Sequence, residues 1–136
     1  MIRRDDEEGS ILLLTIGYAL LALVLVFVTV DATSLYLTQK RTQATADAAA
    51  LAGADGFTLD VVDGEPRAEL TDGGVREQAQ AIVATEPDAS IVSAASPDGV
   101  SARVVVSSVW HPPISTLFVP EGITLQAAAT SRTALE

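Results

Sequence analysis

The longest apolar stretch of the chain lies near its N-terminus. Residues 11 to 30, ILLLTIGYALLALVLVFVTV, carry no charge, and fourteen of these twenty positions are Ile, Leu, Val or Phe. Twenty residues of helix rise ~30 Å, which matches the hydrocarbon core of a bilayer. The pattern therefore predicts a membrane-spanning helix over residues 11–30.

Two other interpretations of this stretch are less well supported. A secretory signal cleaved near Ala32 would also be apolar, but this stretch exceeds the ~7–15 residues usual for a signal. The first ten residues, MIRRDDEEGS, also hold two Arg against four acids. A fully buried core helix is disfavoured because a small domain has little protein to cover it. Cleavage near Ala32 stays open as the alternative to a retained anchor.

Helix-forming residues continue beyond the apolar stretch. No proline or glycine occurs between Val30 and Gly53, so we predict one helix over residues 11–54, with residues 31–54 as its extramembrane continuation. Alanines recur here at i, i+4 spacing, which is either a packing surface for a neighbouring backbone or simply good helix composition. The candidate helix-packing residues are Ala44, Ala48, Leu51 and Ala52.

Residues 55–136 predict a small head that mixes helix and strand. Residues 57–73 are polar, with a possible short strand at 59–62, and apolar positions at 75, 79, 82 and 83 predict a short amphipathic helix begun by Asp72-Gly73-Gly74. Two alternating stretches, 90–95 and 100–110, flank Ser96-Pro97-Asp98-Gly99 and predict a β-hairpin. After Pro112 and Pro113, a last strand begins at Ile123.

The fold class that follows is α+β, with a long N-terminal transmembrane helix, a short second helix and a three-stranded antiparallel sheet. The inward positions of the last two strands are expected to be 100, 102, 104, 106, 108 and 110, then 123, 125, 127 and 129. So thin a sheet needs a cover, and the alanine-rich continuation is available for it.

Charge and composition restrict the functional classes. The net charge of −10 comes from 18 acidic and 8 basic residues, which disfavours nucleic-acid binding. The first ten residues carry −2 and the rest −8. Arg3 and Arg4 on one side of the span nearly balance Lys40 and Arg41 on the other, so basic residues do not decide the orientation. We use the lengths of the two flanking segments instead, because a short tail stays in the cytoplasm more readily than a whole acidic domain. We expect residues 1–10 to be a cytoplasmic tail and the acidic head, 55–136, to be extracytoplasmic.

Signs of catalysis or of a cofactor site are weak. The chain has no cysteine and one histidine, His111, which stands beside two prolines as expected of a turn residue. The acids at 5–8 are expected to be solvated and not to bind a metal ion. Together, these observations predict no metal, no cofactor and no enzymatic activity. Asp31 is expected to be a solvated boundary residue, and Asp47 either lies on a solvated helix face or needs a buried partner.

The N-terminal half resembles the TadE/TadG-like proteins of tight-adherence (Flp-type) pilus assembly. The resemblance rests on the apolar span followed by VDATSLYLTQKRTQATADAAALAGA at 30–54, which contains Asp31, a tyrosine, a basic pair and an A-D-A-A-A-L-A run. A strand ending in Trp110-His111-Pro112-Pro113 and the ITLQA strand at 123–127 extend it. The resemblance implies a pilin-like bacterial envelope protein with other pilus or secretion proteins, and lipid, as partners.

The resemblance also raises the question of N-terminal processing. Glu8-Gly9-Ser10 is similar to a prepilin cleavage site, with Gly9 and Ser10 flanking the bond, but the fifth residue after Gly9 is Leu14 where processed pilins have glutamate. We therefore expect an unprocessed membrane protein. Two functions follow: a structural or assembly component, minor-pilin-like, that oligomerises by helix packing, or a membrane-tethered module that binds an envelope partner.

Overall fold

The computed structural model describes residues 4–133 and confirms the predicted α+β architecture. Its elements are α1 (Arg4–Asp55), β1 (Thr58–Val62), β2 (Glu65–Glu69), α2 (Asp72–Val83), β3 (Ala89–Ala95), β4 (Ser101–Trp110) and β5 (Ile123–Arg132). Helix α1 begins seven residues before the start predicted at residue 11, because residues 4–10 contain no proline to stop it. Residues 4–10 are thus helical, and the location of residues 1–10 in the cytoplasm stays a prediction.

The main sheet is antiparallel, with strand order β3-β4-β5. Strand β4 pairs with β5 along its full length, from Ser101 opposite Arg132 to Trp110 opposite Ile123. The register of β3 against β4 shifts between Ile91 and Ser93, where a bulge interrupts the ladder. The predicted hairpin and final strand are therefore present with bounds close to those expected.

A second, two-stranded sheet of β1 and β2 lies where the sequence predicted a polar connection with one possible strand. Asp63 and Gly64 join the strands, with φ of 56° and 84°. Positive φ at both central residues is the hairpin geometry that Asp-Gly favours. Strand β2 was missed because Glu65–Glu69 shows no apolar alternation, although the Asp-Gly pair was available as a signal.

The core lies between the sheet and the two helices. Helices α1 and α2 cover the inner face of β4, where Ala102, Val104 and Val106 are fully buried. The predicted inward face of β4 is confirmed, except that Val100 stands before the strand and is 41% exposed. On β5, Ala127 is buried as expected, but Ile123 is 43% exposed because it lies at the end of the sheet beside a loop.

Helix α2 begins as its sequence predicts. Thr71 caps its N-terminus, accepting a hydrogen bond from the Gly74 N–H at 3.1 Å. Val75, Ala79 and Val83 form its buried stripe, while Ile82 is half-buried against the core. A core built mainly from alanine and valine buries little surface per residue, so close approach of the backbones must compensate.

The β3–β4 turn gives a pH-dependent contribution to stability. The Asp98 carboxylate accepts hydrogen bonds from the Ser101 hydroxyl (2.8 Å) and from the N–H groups of Val100 (3.1 Å) and Ser101 (2.6 Å). The Ser101 hydroxyl and the Val100 N–H hold the pKa of Asp98 below its ordinary value. This stabilisation is complete above the unfolded-state pKa of about 3.9 and is lost as pH falls through the lower folded pKa.

Asp98→Asn is therefore expected to make the head slightly less stable at neutral pH and to flatten the fall in stability below about pH 4. Urea unfolding of the full-length protein in micelles, at a series of pH values, measures both effects. The matched control is Asp60→Asn, at an exposed aspartate of β1. Equal acid dependence in the two variants would contradict the role assigned to Asp98.

Candidate functional site

The extramembrane part of α1 has two distinct faces. One face packs on the head through small side chains, and it is fully buried: Thr42, Ala46, Ala49, Ala50, Gly53 and Ala54. The opposite face is exposed: Arg41, Ala44, Asp47, Ala48, Leu51 and Asp55. The two alanine rows visible in the sequence therefore separate, because the row at 46, 50 and 54 covers the sheet and the row at 44 and 48 does not.

The candidate packing residues lie mainly on this second face. Ala44 and Ala48 are exposed, Leu51 is 58% exposed, and Ala52 is half-buried at the edge of the head. Ala44, Ala48 and Leu51 follow one another at spacings of four and three residues, about one turn each, so they form a continuous strip along the helix. Within residues 4–133, no contact covers Ala44, Ala48 or Leu51, so the strip is accessible to another molecule.

Asp47 lies on the exposed face. Its carboxylate accepts a hydrogen bond from the Gln43 side chain, one turn earlier, at 3.0 Å. Gln43 in turn donates to the Ala128 carbonyl at 3.5 Å, which connects the helix to β5. Of the two interpretations of Asp47, the solvated helix face agrees with this position.

Asp31 differs from its expected role as a solvated boundary residue. It is half-buried, and its carboxylate accepts hydrogen bonds from the Ile114 N–H at 3.2 Å and the Ser115 hydroxyl at 2.7 Å. The loop that follows β4 folds back to the helix, so Asp31 finds partners more than 80 residues away in sequence. The residue joins the end of the apolar stretch to the head.

Two further polar contacts follow Asp31 up the same helix face. The Trp110 indole N–H donates to the Ser34 hydroxyl at 3.1 Å, and the hydroxyls of Thr42 and Ser108 are hydrogen-bonded to each other. Sequence reasoning missed these residues as a group. The available signal was a polar stripe on α1 at positions 31, 34, 38 and 42, which repeats every three or four residues.

The structure does not bring the remaining candidate residues, Gly9, Ser10 and His111, together in one site. Gly9 and Ser10 are exposed within α1, and a Cβ at Gly9 would meet no atom within 4 Å. His111 is exposed directly after β4. Among the residues whose placement is described, no cluster of three or more His, Asp or Glu side chains could hold a metal ion.

Among the described residues, no other element covers the apolar part of α1. Within the described residues, Gly9–Asp55 is the one helix long and apolar enough to cross a membrane, and its most apolar window is entirely exposed. Residues 9–56 match the family model described as putative Flp pilus-assembly TadE/G-like. This part of the chain is similar to the TadE/G-like family. The match spans 48 residues, the membrane-competent helix and its continuation, and it confirms the resemblance noted there. The weaker resemblance at 110–113 and 123–127 lies outside the match.

The TadE/TadG-like match supports a component of pilus assembly that associates with a membrane and interacts with other pilus components. The matched family is one of assembly proteins rather than enzymes. No curated protein and no solved structure matches the chain. The head beyond residue 56 therefore has to be understood from its own geometry.

Proposed function

We propose that this protein is a TadE/TadG-like, single-pass structural or assembly component, minor-pilin-like, of a tight-adherence pilus or related secretion machine, and that it acts through helix packing without catalysis. Residues 1–10 lie in the cytoplasm, 11–30 cross the membrane, 31–54 continue the helix and 55–136 form the extracytoplasmic head. The observation that carries the proposal is that α1 is one helix whose apolar half is uncovered and whose outer half has one face free.

The uncovered half of α1 requires lipid or other helices around it. Every residue from 11 to 30 is exposed, including Leu13 at 75% and Tyr18 at 65%. An apolar surface of this length is far larger than soluble monomers expose. A helix satisfies its own backbone hydrogen bonds, so it can pass through a bilayer or pack laterally against copies of similar helices.

The free face of the outer half suits close packing by another helix. Ala44 and Ala48 present only methyl groups, and Leu51 offers a larger side chain beside them. Small residues at this spacing let helix backbones approach closely. Asp47 lies on the same face, so a partner with a basic residue there would gain a charge-assisted hydrogen bond.

The acidic head supports the proposed orientation, because a pilus is built outside the cell and a strongly charged surface limits non-specific association there. Retention without cleavage at Gly9-Ser10 is supported by Leu14, which stands where processed pilins carry glutamate. The partners are then membrane lipid and other pilin-like or assembly proteins, contacted through α1.

The double variant Ala44→Leu/Ala48→Leu tests the packing surface. In cells lacking the native protein, we expect it to accumulate in the membrane normally but to lower the amount of sheared surface pilus several-fold, since leucine keeps a neighbouring backbone at a distance. Leucine is also a good helix former, so α1 itself is retained. The matched control is Ala81→Leu, at an exposed alanine on the other helix.

Normal pilus yield from Ala44→Leu/Ala48→Leu would remove the packing role of this face. The alternative, a membrane-tethered module that binds its partner through the head, would then account for the requirement for the protein. Loss of yield in Ala81→Leu as well would point to the head rather than to α1.

A further inference from the structure

The loop between β4 and β5, residues 111–122, lies at the end of the head next to the apolar stretch 11–30. Strand β4 runs antiparallel to α1, so successive contacts descend the helix: Ala102 near Gly53, Ser108 at Thr42 and Trp110 at Ser34. The next contact is that of Ile114 and Ser115 with Asp31. Asp31 directly follows the apolar stretch 11–30, so the loop is held at the level where that stretch ends.

The loop exposes two large apolar side chains at this level. Leu117 is 92% exposed and Phe118 is 86% exposed, more than any other large apolar side chain among those described. Both follow Ser115 in the chain, beyond the contact with Asp31. The loop 111–122 contains no Lys or Arg, and Glu121 is its only acid.

This exposure belongs to an ordered turn. The Ser115 carbonyl accepts hydrogen bonds from the N–H groups of Phe118 (2.9 Å) and Val119 (3.2 Å). The Gly122 N–H donates to the Val119 carbonyl at 3.2 Å, and the Thr116 hydroxyl donates to the Pro112 carbonyl. These bonds, together with those to Asp31, fix the backbone that carries the two side chains and lower the conformational entropy that the loop loses on binding.

We propose that Leu117 and Phe118 insert into the interfacial region of the bilayer beside the span and form a second, shallow membrane contact of the head. The inference rests on the proposed membrane anchoring of residues 11–30. We assign lipid as the molecule that surrounds these two side chains because the loop is hydrogen-bonded to Asp31, and Asp31 marks the end of the apolar stretch 11–30. Aromatic and aliphatic side chains next to a helical anchor take part in interfacial binding, which grows with the apolar area buried.

The insertion fixes the orientation of the head. An anchor of one helix leaves a head free to lean, whereas a second contact beside the span restricts its tilt. The strip at Ala44 and Ala48 would then be presented at a constant angle to the membrane. This makes Leu117 and Phe118 positioning residues for assembly rather than binding residues for a protein partner.

The chain has no cysteine, so single-cysteine variants carry an environment-sensitive dye at one site only. We use the full-length protein with Phe118→Cys or Leu117→Cys, reconstituted at high lipid-to-protein ratio in vesicles of phosphatidylethanolamine and phosphatidylglycerol. Val61→Cys is the matched control, because Val61 is a 73% exposed apolar residue of the β1–β2 hairpin. Leu21→Cys reports the span itself.

We expect blue-shifted emission of the dye at 117 and 118, with quenching by lipids that carry a nitroxide near the headgroup several-fold stronger than at 61. Residue 21 is tested with lipids that carry the nitroxide deep in the acyl chain, and quenching by these lipids is called deep quenching. Water-like emission and no quenching at 117 and 118, with deep quenching at 21, would overturn the insertion and leave the anchor intact. A blue shift at 118 that fades on dilution into more lipid would overturn it in favour of a second copy. Absence of deep quenching at 21 would overturn the anchor and the insertion together.

Discussion

Gly53→Leu is expected to lower the free energy of unfolding of the head by about 3 kcal/mol, because it adds a large side chain where α1 meets both α2 and β4. A Cβ alone at position 53 would lie 3.0 Å from Val75 Cγ1 and 3.2 Å from Ala102 Cβ. Both neighbours are fully buried, so neither can move away without opening the core. A domain of this size has a total stability of only about 5 kcal/mol or little more.

The emission of Trp110, the single tryptophan, measures this effect in urea titrations of the full-length protein in micelles. Ala48→Leu, five residues earlier on the same helix but on the exposed face, is the control and is expected to change stability by less than about 0.5 kcal/mol. If Gly53→Leu unfolds at the urea concentration of the wild type, α1 does not form the core of the head as described.

Gly122→Ala is expected to destabilise the head by about 3 kcal/mol, through a left-handed backbone and a steric clash together. Gly122 has a φ of 72°, and a Cβ there would lie 2.6 Å from the Trp110 carbonyl oxygen and 2.8 Å from Val109 Cγ1. The carbonyl belongs to the backbone of β4, so relief requires the end of the sheet to separate from the 111–122 loop.

Gly99→Ala separates the two causes. Gly99 has a similar φ of 75°, but a Cβ there would meet no atom within 4 Å. Its substitution is expected to cost about 1–2 kcal/mol, the backbone contribution alone. Urea unfolding followed by circular dichroism, which does not depend on the surroundings of Trp110, compares the two variants. Equal losses would mean that the approach of Gly122 to β4 contributes nothing.

Local patterns were sufficient to predict the long helix, the short helix and the three strands of the main sheet. The alternation along 100–110 follows from a single strand with one buried face, and the apolar stretch 11–30 follows from a single helix that is apolar on every side. The 3.6 and 2.0 periodicities do not depend on the rest of the chain. This is why the bounds of β4 and β5 agree closely with those expected.

The features that were missed depend on distant partners. The two alanine rows of α1 are chemically alike. The row at 46 and 50 is buried because the head packs on that side of the helix, where Val75 and Ala102 lie beside Gly53. Asp31 meets Ser115 across more than 80 residues of chain, and no local pattern predicts that pair. The exposure of Phe118 likewise depends on the position of the 111–122 loop in the folded head, and no local pattern predicts that position.

The continuity of α1 has a mechanical consequence. From Asp31 to Gly53 the helix rises ~33 Å, and the inner face of the head is packed directly on this length of it. No linker intervenes that could absorb rotation or extension. A pull or twist applied to the head would therefore be transmitted to the bilayer through the consecutive backbone hydrogen bonds of one helix, and the head and the span would move together.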